Sequence, residues 1–526
     1  MKLHGKNIIG RELSAEGPEM RDQSGLAGAT DDQPRFHAAT EAEVDRAVNL
    51  AEASFFAYRS LPSERRANFL DRIAARILDL GDQFLEITHQ ETGLPIARLT
   101  GERGRTVGQL RMFADLIREG SWVEARIDRA QPEREPAPRP DLRRMLIPLG
   151  PVGVFGASNF PYAFSVAGGD TASAFAAGCP VIVKAHSAHP RTSEMTARAI
   201  LAAAEETDMP EGSFSMIYGR DAGISLVRHP FLTAVGFTGS REAGMRLFHE
   251  AANRPRPIPI FAEMSAVNPV FVLPGALRER GETIAAGLAQ SATLGMGQFC
   301  TKPGLVFTQG DAKEPFARAV SDKISQVAPA RMLHEGILQA YAKGIDRLLD
   351  TPGARLAGCA AEAANSEGQA GAAVFATDAA TFARTPSLAE EVFGPATLLI
   401  AAETPQELEE AARNLEGQLT ATVHATTEDL RENRVLISIL ETKVGRLLYN
   451  GFPTGVEVVS SMQHGGPFPS TTDSRATSVG TAAIIRFVRP LCYQNAPQET
   501  LPLELQDSNP RNIWRLVDNE WTRAGL

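Results

Sequence analysis

Cysteine is scarce in this sequence and widely scattered. Cys179, Cys300, Cys359 and Cys492 are the only four in 526 residues, and no CxxC pair occurs. That excludes a disulfide framework and offers no zinc-site spacing, so no metal is expected. Positive charge is in deficit: 53 Lys and Arg face 63 Asp and Glu, a net of −10. Such a balance disfavours nonspecific adhesion to nucleic acid or to an anionic membrane. Long uncharged apolar runs are missing, and the opening Met-Lys-Leu-His-Gly-Lys-Asn has no apolar signal core. A cytoplasmic protein with reduced thiols is the expectation, with neither nucleic acid nor membrane as a partner. What is present is ordinary globular material, 43% apolar and 22% charged. It suffices for roughly two to four domains.

The order of the elements is informative. Lys2–Ser14 reads as a hairpin with Gly10 at its turn, and 14–35 as a surface loop. Apolar residues at helical spacing predict helices over 41–59, 63–80, 83–92 and 101–118. Two strand-like runs, Val123–Ile127 and Leu142–Ile147, flank a Pro- and charge-rich connector and suggest an arm outside the main body. From Gly150 apolar strands alternate with helices: strands over 150–157, 180–184, 214–218 and 234–237, helices over 160–177, 191–205 and 221–229. That alternation predicts an α/β fold with parallel sheets, whose ligands bind beyond the carboxyl ends of the strands. Ser158, Asn159, Lys184, Arg220, Thr238, Gly239 and Ser240 all fall there. A second alternation starts near Phe261 and includes segments at 269–273, 304–308, 314–327, 336–349, 396–401 and 404–414. Gly451–Ser478 is loop-like, 482–489 is a strand that could pair with the arm, and 493–526 is a tail.

Several short constellations could carry chemistry. Cys300 lies between Gly295-Met-Gly297 and Pro303-Gly304, on a loop that could present the thiol with its own N–H aimed at a bound carbonyl. Glu263, after a strand-like segment, could serve as a general base toward water. Asn159, in Ser-Asn-Phe-Pro, could complete an oxyanion hole. Gly236-Phe-Thr-Gly-Ser-Arg-Glu-Ala-Gly244 reads as strand, turn and helix start, with Ser240 as cap and the helix N-terminus free to hold an anion. It is not the GxGxxG fingerprint, which is missing. Glu390-Glu-Val-Phe-Gly-Pro395 joins an acid, an aromatic and a turn. Singly, each has a bland alternative: a buried thiol, a capping carboxylate, a turn asparagine, an ordinary N-cap.

Their order is another matter. Ser-Asn159-Phe-Pro, Val-Lys184, Phe-Thr-Gly239-Ser240, Glu263, Gly-Gln-Phe-Cys300 and Glu-Glu391-Val-Phe393-Gly-Pro together resemble the aldehyde dehydrogenase family, from the first helices to about Arg489. The resemblance implies a Rossmann-like cofactor domain (1–120 and 149–262), an α/β catalytic domain (263–450), and an oligomerisation arm with the C-terminal tail (121–148 and 480–526). It implies that Cys300 attacks the aldehyde, that Asn159 and the Cys300 N–H hold the oxyanion, and that Glu263 activates water. Lys184 would bind the adenosine ribose, Ser240 the pyrophosphate and Glu391 the nicotinamide ribose, with Phe393 beside it. Ser158, Thr238, Gly239 and Gly244 complete that cofactor set.

Two departures matter. The usual Glu-Leu-Gly-Gly-Lys is here Glu263-Met-Ser-Ala-Val. The glutamate that NAD-preferring members often carry three residues after the lysine is Ser187. A carboxylate would repel a 2′-phosphate and serine can donate to it, while Arg220 could supply positive charge. NADP preference is therefore expected, with NAD possible.

Within the family, the segments 158–174, 183–190, 262–269, 297–304 and 463–481 are similar to those of α-ketoglutaric semialdehyde (2,5-dioxopentanoate) dehydrogenases. An NADP-linked branch acting on fatty aldehydes shares much of this, so oxidation of hydrophobic aldehydes is the alternative. The substrate tunnel implied by the resemblance would be lined by Arg105, Phe160, Phe164 and His464, with Arg105 anchoring a substrate carboxylate. No histidine partner for Cys300 is evident. A homodimer or homotetramer is expected, since the arm and the 482–489 strand leave edges to cover.

Overall fold

The computed structural model describes residues 2–20, 34–364 and 366–526. Most of the expected loop over 14–35 lies outside them. The hairpin forms as β1 (Asn7–Ile9) and β2 (Glu12–Ser14), and Gly10 turns it at φ +56°. Four helices follow: α1 (Glu41–Arg59), α2 (Ser63–Asp79), α3 (Gly81–Thr92) and α4 (Ile96–Glu119). Thr40 and Glu43 form a capping box at the start of α1. Gly93 and Gly120, both left-handed, end α3 and α4.

The arm strands β3 (Arg126–Asp128) and β4 (Leu142–Pro148) leave this body and return to it. Then come β5 (Val152–Phe155), α5 (Gly169–Ala177), β6 (Val181–Lys184), α6 (Pro190–Glu206), β7 (Phe214–Ile217), α7 (Arg220–Arg228), β8 (Ala234–Thr238), α8 (Arg241–Ala252) and β9 (Ile260–Glu263). They build a seven-stranded sheet in the order β2-β1-β7-β6-β5-β8-β9. It is parallel from β7 to β9, and β1 and β2 form an antiparallel edge. The strands are buried nearly throughout, as expected of parallel strands covered on both faces.

A second seven-stranded sheet follows. Its strands are β10 (Val270–Val272), β11 (Leu305–Gln309), β13 (Arg355–Cys359), β15 (Ala373–Asp378), β16 (Ala396–Ala402), β17 (Gln418–His424) and β18 (Val444–Tyr449), with a small ladder of β12 (Ala330–Arg331) and β14 (Gln369–Ala370) beside it. The helix α9 (Pro274–Thr293) crosses from β10 toward the Cys300 loop. Strand order is β13-β15-β16-β11-β10-β17-β18. Phe271 and Phe307, on neighbouring parallel strands, stack at 4.7 Å in its core.

Three expectations need correction. The helix expected over 160–177 begins only at Gly169, and the preceding residues turn instead. Pro161 has no N–H to give to a first helical turn, and the Tyr162 and Ala163 N–H groups donate to the Glu102 carboxylate. The strand expected over 482–489 is a 3-10 helix at Thr481–Phe487, and pairing with β4 is made by β19 (Val488–Gln494). Ala483, Ile484 and Phe487 are instead buried in the core beside α4 and α5. Finally, the tail has strands of its own. β20 (Arg515–Val517) and β21 (Glu520–Thr522) extend the arm into a five-stranded sheet, β19-β4-β3-β20-β21.

Candidate active site

The site lies where β9, the Cys300 loop and the segment 463–478 converge. After α9 the chain makes a tight turn in which Gly295, Met296 and Gly297 all have positive φ. A side chain on Gly297 would lie 2.3 Å from the Gly394 carbonyl oxygen, so this loop and the Glu391–Gly394 loop touch backbone to backbone. Asn268 fastens the far side: its Nδ2 donates to the Cys300 carbonyl at 2.8 Å and to that of Lys302 at 3.1 Å.

The Cys300 Sγ stands 3.5 Å from His464 Nε2. That same nitrogen is 2.9 Å from Glu263 Oε1, and Ser478 Oγ donates to Glu263 Oε2 at 2.6 Å. The Ser478 N–H in turn donates to the His464 carbonyl at 2.8 Å, which ties the two ends of the segment together. His464 and Glu263 are 1% and 3% exposed, so these contacts form out of water. One expectation changes here: Cys300 does have a histidine neighbour. His464, expected among the tunnel residues, also touches both thiol and carboxylate. Burial pushes the Glu263 carboxyl up. The His464 contact and the Ser478 and Cys300 hydrogen bonds outweigh it, leaving the carboxyl below its usual range. Burial and then the Glu263 charge hold the Cys300 thiol well above its usual range, with Arg105 pulling the other way. In the resting site the carboxylate is charged and the thiol keeps its proton.

Asn159 lies beside the same loop. Its Nδ2 donates to the Gln298 carbonyl at 3.1 Å, and its carbonyl accepts from Arg98 Nη2 at 2.6 Å. The Arg98 guanidinium sits over the rings of Phe160 and Phe299, at 5.2 and 4.7 Å. Phe160 meets Phe164 at 5.4 Å, and Phe164 meets the His464 ring at 6.2 Å. The expected lining residues Phe160, Phe164 and His464 thus form one wall with Phe299. Arg105 lies over Phe164 at 5.8 Å, donates to the Val456 carbonyl, and is close enough to attract Cys300 when it becomes a thiolate. Arg446, on β18, would attract the same thiolate and donates to the carbonyls of Pro453 and Gly455. Neither Arg105 nor Arg446 has a carboxylate partner among the described ion pairs.

The expected cofactor residues gather at the carboxyl ends of the first sheet. Lys184 ends β6 beside the Phe155 ring at 5.8 Å, and burial followed by Arg220 lowers its ammonium to about 8. Ser187 follows on the turn into α6, and Arg220 opens α7, exposed. Thr238 ends β8, and the Gly239 N–H donates to the Glu263 carbonyl at 3.1 Å. Ser240 caps α8, its Oγ accepting from the Ala243 N–H at 3.3 Å. A side chain on Gly244 would strike the Met264 sulfur at 2.7 Å. Ser158 precedes Asn159 on the turn after β5. On the opposite side, burial raises the Glu391 carboxyl to about 7 against the pull of Lys302 and Ser265, with Phe393 half-buried two residues on. A cation without a carboxylate partner, a capped helix start and a half-neutral buried carboxyl suit the phosphates and ribose hydroxyls of a dinucleotide.

Residues 30–487 match the family model described as "Aldehyde dehydrogenase family". The chain is 51% identical over 524 residues to alpha-ketoglutaric semialdehyde dehydrogenase 2 of Azospirillum brasilense, covering 99% of this chain and 100% of that protein. It is 49% identical over 528 residues to alpha-ketoglutaric semialdehyde dehydrogenase of Acinetobacter baylyi, covering 99% of each. Among solved structures, lactaldehyde dehydrogenase from Escherichia coli superposes with a TM-score of 0.79 at 19% identity, covering 94% of this chain and 99% of that one. Among the described residues, no helix is long and apolar enough to cross a membrane.

Proposed function

Since the chain belongs to the aldehyde dehydrogenase family, we propose that it oxidises α-ketoglutaric semialdehyde to 2-oxoglutarate, with NADP preferred over NAD. The observation that carries the chemistry is the contact series Cys300 Sγ, His464 Nε2 and Glu263 carboxylate, at 3.5 and 2.9 Å. Sγ adds to the aldehyde carbon as its proton passes toward His464 or Glu263. The free amide hydrogen of Asn159 and the Cys300 N–H hold the oxygen that becomes negative. When bound, the nicotinamide supplies the hydride acceptor; Lys184, Ser240, Glu391 and Phe393 would hold the dinucleotide. Glu263 then takes a proton from the water that releases the acid from Cys300. Under this reading 1–120 and 149–262 form the cofactor domain, 263–450 the catalytic domain, and the arm and tail an oligomer interface.

Arg105 and Arg446 support the substrate. Two arginines near the thiol, bonded to backbone carbonyls but in no ion pair among the described residues, favour an aldehyde carrying a carboxylate and oppose a fatty chain. Ser187 and Arg220 support NADP.

The test is a panel of aldehydes with both cofactors, followed by reduced-nicotinamide absorbance. The keto-acid semialdehyde with NADP is expected to give the highest kcat/KM, and Arg220→Ala to narrow the cofactor ratio. Cys300→Ser is expected to lose at least about 10³-fold in kcat. Arg105→Met should raise KM for the charged aldehyde by roughly 10- to 100-fold and leave hexanal unchanged. Faster turnover of hexanal than of the semialdehyde would refute the substrate; full activity of Cys300→Ser would refute the mechanism.

A further inference from the structure

We propose that Cys300, His464 and Glu263 also form a reversible binding site for zinc, and that the enzyme is inactive while the ion is bound. The three offer a sulfur, an imidazole nitrogen and a carboxylate oxygen, and these ligand atoms lie within 4.8 Å of one another. Zinc takes this mixture of ligands readily. A tetrahedral ion with a Zn–S bond of about 2.3 Å and a Zn–N bond of about 2.0–2.1 Å holds S and N roughly 3.5 Å apart. The Sγ to Nε2 separation is 3.5 Å. The same geometry asks for roughly 3.3 Å between nitrogen and oxygen, and 2.9 Å is found, so a few tenths of an ångström of opening suffices. Thiolate and carboxylate together balance the charge of the ion, which a buried site requires.

The ligands come from the end of β9, the loop after α9 and the loop after β18, so no spacing in the sequence marks them. Three protein ligands leave a fourth position for water, as in zinc sites that keep an open position. Binding sends the thiol proton to water and takes the imidazole as the tautomer that carries its hydrogen on Nδ1.

Two features hold the affinity below that of a structural zinc centre. Arg105 and Arg446 place positive charge near the sulfur. Nδ1 of His464 has no hydrogen-bond partner among the described residues, and outer support of this kind is worth roughly 10- to 100-fold in affinity. Weak enough to leave, the ion would block the thiol from aldehyde and from alkylating or oxidising reagents alike. Binding itself needs only the three ligand atoms; inhibition rests on the reading of Cys300 as nucleophile.

The experiment uses the full chain carrying Cys359→Ser and Cys492→Ser, which removes the two exposed thiols. Cadmium is titrated in, and the ultraviolet thiolate-to-cadmium band is followed. One equivalent is expected, displaced by zinc. A further Cys300→Ser should abolish the band, and His464→Gln or Glu263→Gln should each weaken binding by at least about 10-fold. In the parent, with no substitution in the site, zinc at a concentration that saturates the site in the titration should slow alkylation of Cys300 by iodoacetamide and stop turnover, and EDTA should restore both. A band that survives Cys300→Ser, His464→Gln binding as tightly as the parent, or alkylation untouched by zinc would each overturn the site. Tight one-to-one binding with unimpaired turnover would overturn the inhibition and, separately, the role given to Cys300.

Discussion

A carboxyl group that is half neutral near pH 7 accepts hydrogen bonds poorly in its protonated half, and Glu391 is in that position. Burial raises it to about 7, while Lys302 and Ser265 pull it back only in part. Because the shift is upward, the carboxylate that would accept from ribose hydroxyls is the minor form below about 7 and the major form above it. KM for the cofactor should therefore fall as pH rises from about 6 to about 8, and Glu391→Gln should flatten that dependence. A pH-independent KM in the unaltered enzyme would remove Glu391 from the cofactor site. Glu391 stands out in the sequence as a candidate because its signal is local: acid, aromatic and turn stand together. Cys300, Asn159 and Ser240 stand out as candidates for the same reason. His464 was not legible in its actual place, because its sulfur partner is 164 residues away and only the folded loop joins them. Asn268 stood inside a quoted motif, yet its grip on the Cys300 and Lys302 carbonyls depends on a left-handed backbone at φ +46° that no spacing announces.

At the scale of elements, α4 holds the 159–163 turn in place, the side proposed to hold the oxyanion. Arg98, Glu102 and Arg105 recur at three- and four-residue steps, so they share one helix face. Arg98 holds the Asn159 carbonyl, and Glu102 accepts from the Tyr162 and Ala163 N–H groups at 2.8 and 3.0 Å. Glu102→Ala would leave two buried N–H groups without acceptors, a cost of about 2–4 kcal/mol. Urea unfolding should show a loss of that size. The turnover rate should fall at least about 10-fold as Asn159 shifts, with KM for the cofactor unchanged, since Lys184 and Ser240 sit on other elements. Glu102→Gln keeps one acceptor oxygen and should recover part of both effects. A stable, fully active Glu102→Ala would show that the turn holds itself. Helices such as α1, α2 and α6 were legible nearly to the residue, because an apolar stripe and a cap define them. The strands β15, β17 and β18 were missed. β15 and β17 are buried on both faces and so show no alternation, β15 lies in an alanine-rich stretch with little strand preference of its own, and β18 is a half-buried edge strand whose exposure does not alternate either.

For the whole molecule, the arm and the tail are one structure. The apolar side chains of Val123, Ile127, Met145 and Ile147 are covered by Leu501, Leu505, Ile513 and Val517 of the tail. Arg511 also ties the tail to the end of α4 through the Ile117 and Arg118 carbonyls. Order along the sequence could not reveal this, since β20 lies beside β3 from almost four hundred residues later. The sheet still ends in open edges at β19 and β21, and Trp514, Trp521 and Leu503 remain 46%, 62% and 52% exposed. Unpaired edges and exposed aromatics are what subunit contact covers. The chain should therefore sediment as a homodimer or homotetramer of the 56.5 kDa subunit, and a single species of 56.5 kDa would refute it. Ending the chain after Asn495 keeps β19 but removes the cover from the inner face of the arm. That truncation should lose the oligomer and aggregate through the uncovered apolar face. If it instead sediments like the full chain and stays soluble, the tail neither covers the arm in solution nor supports subunit contact.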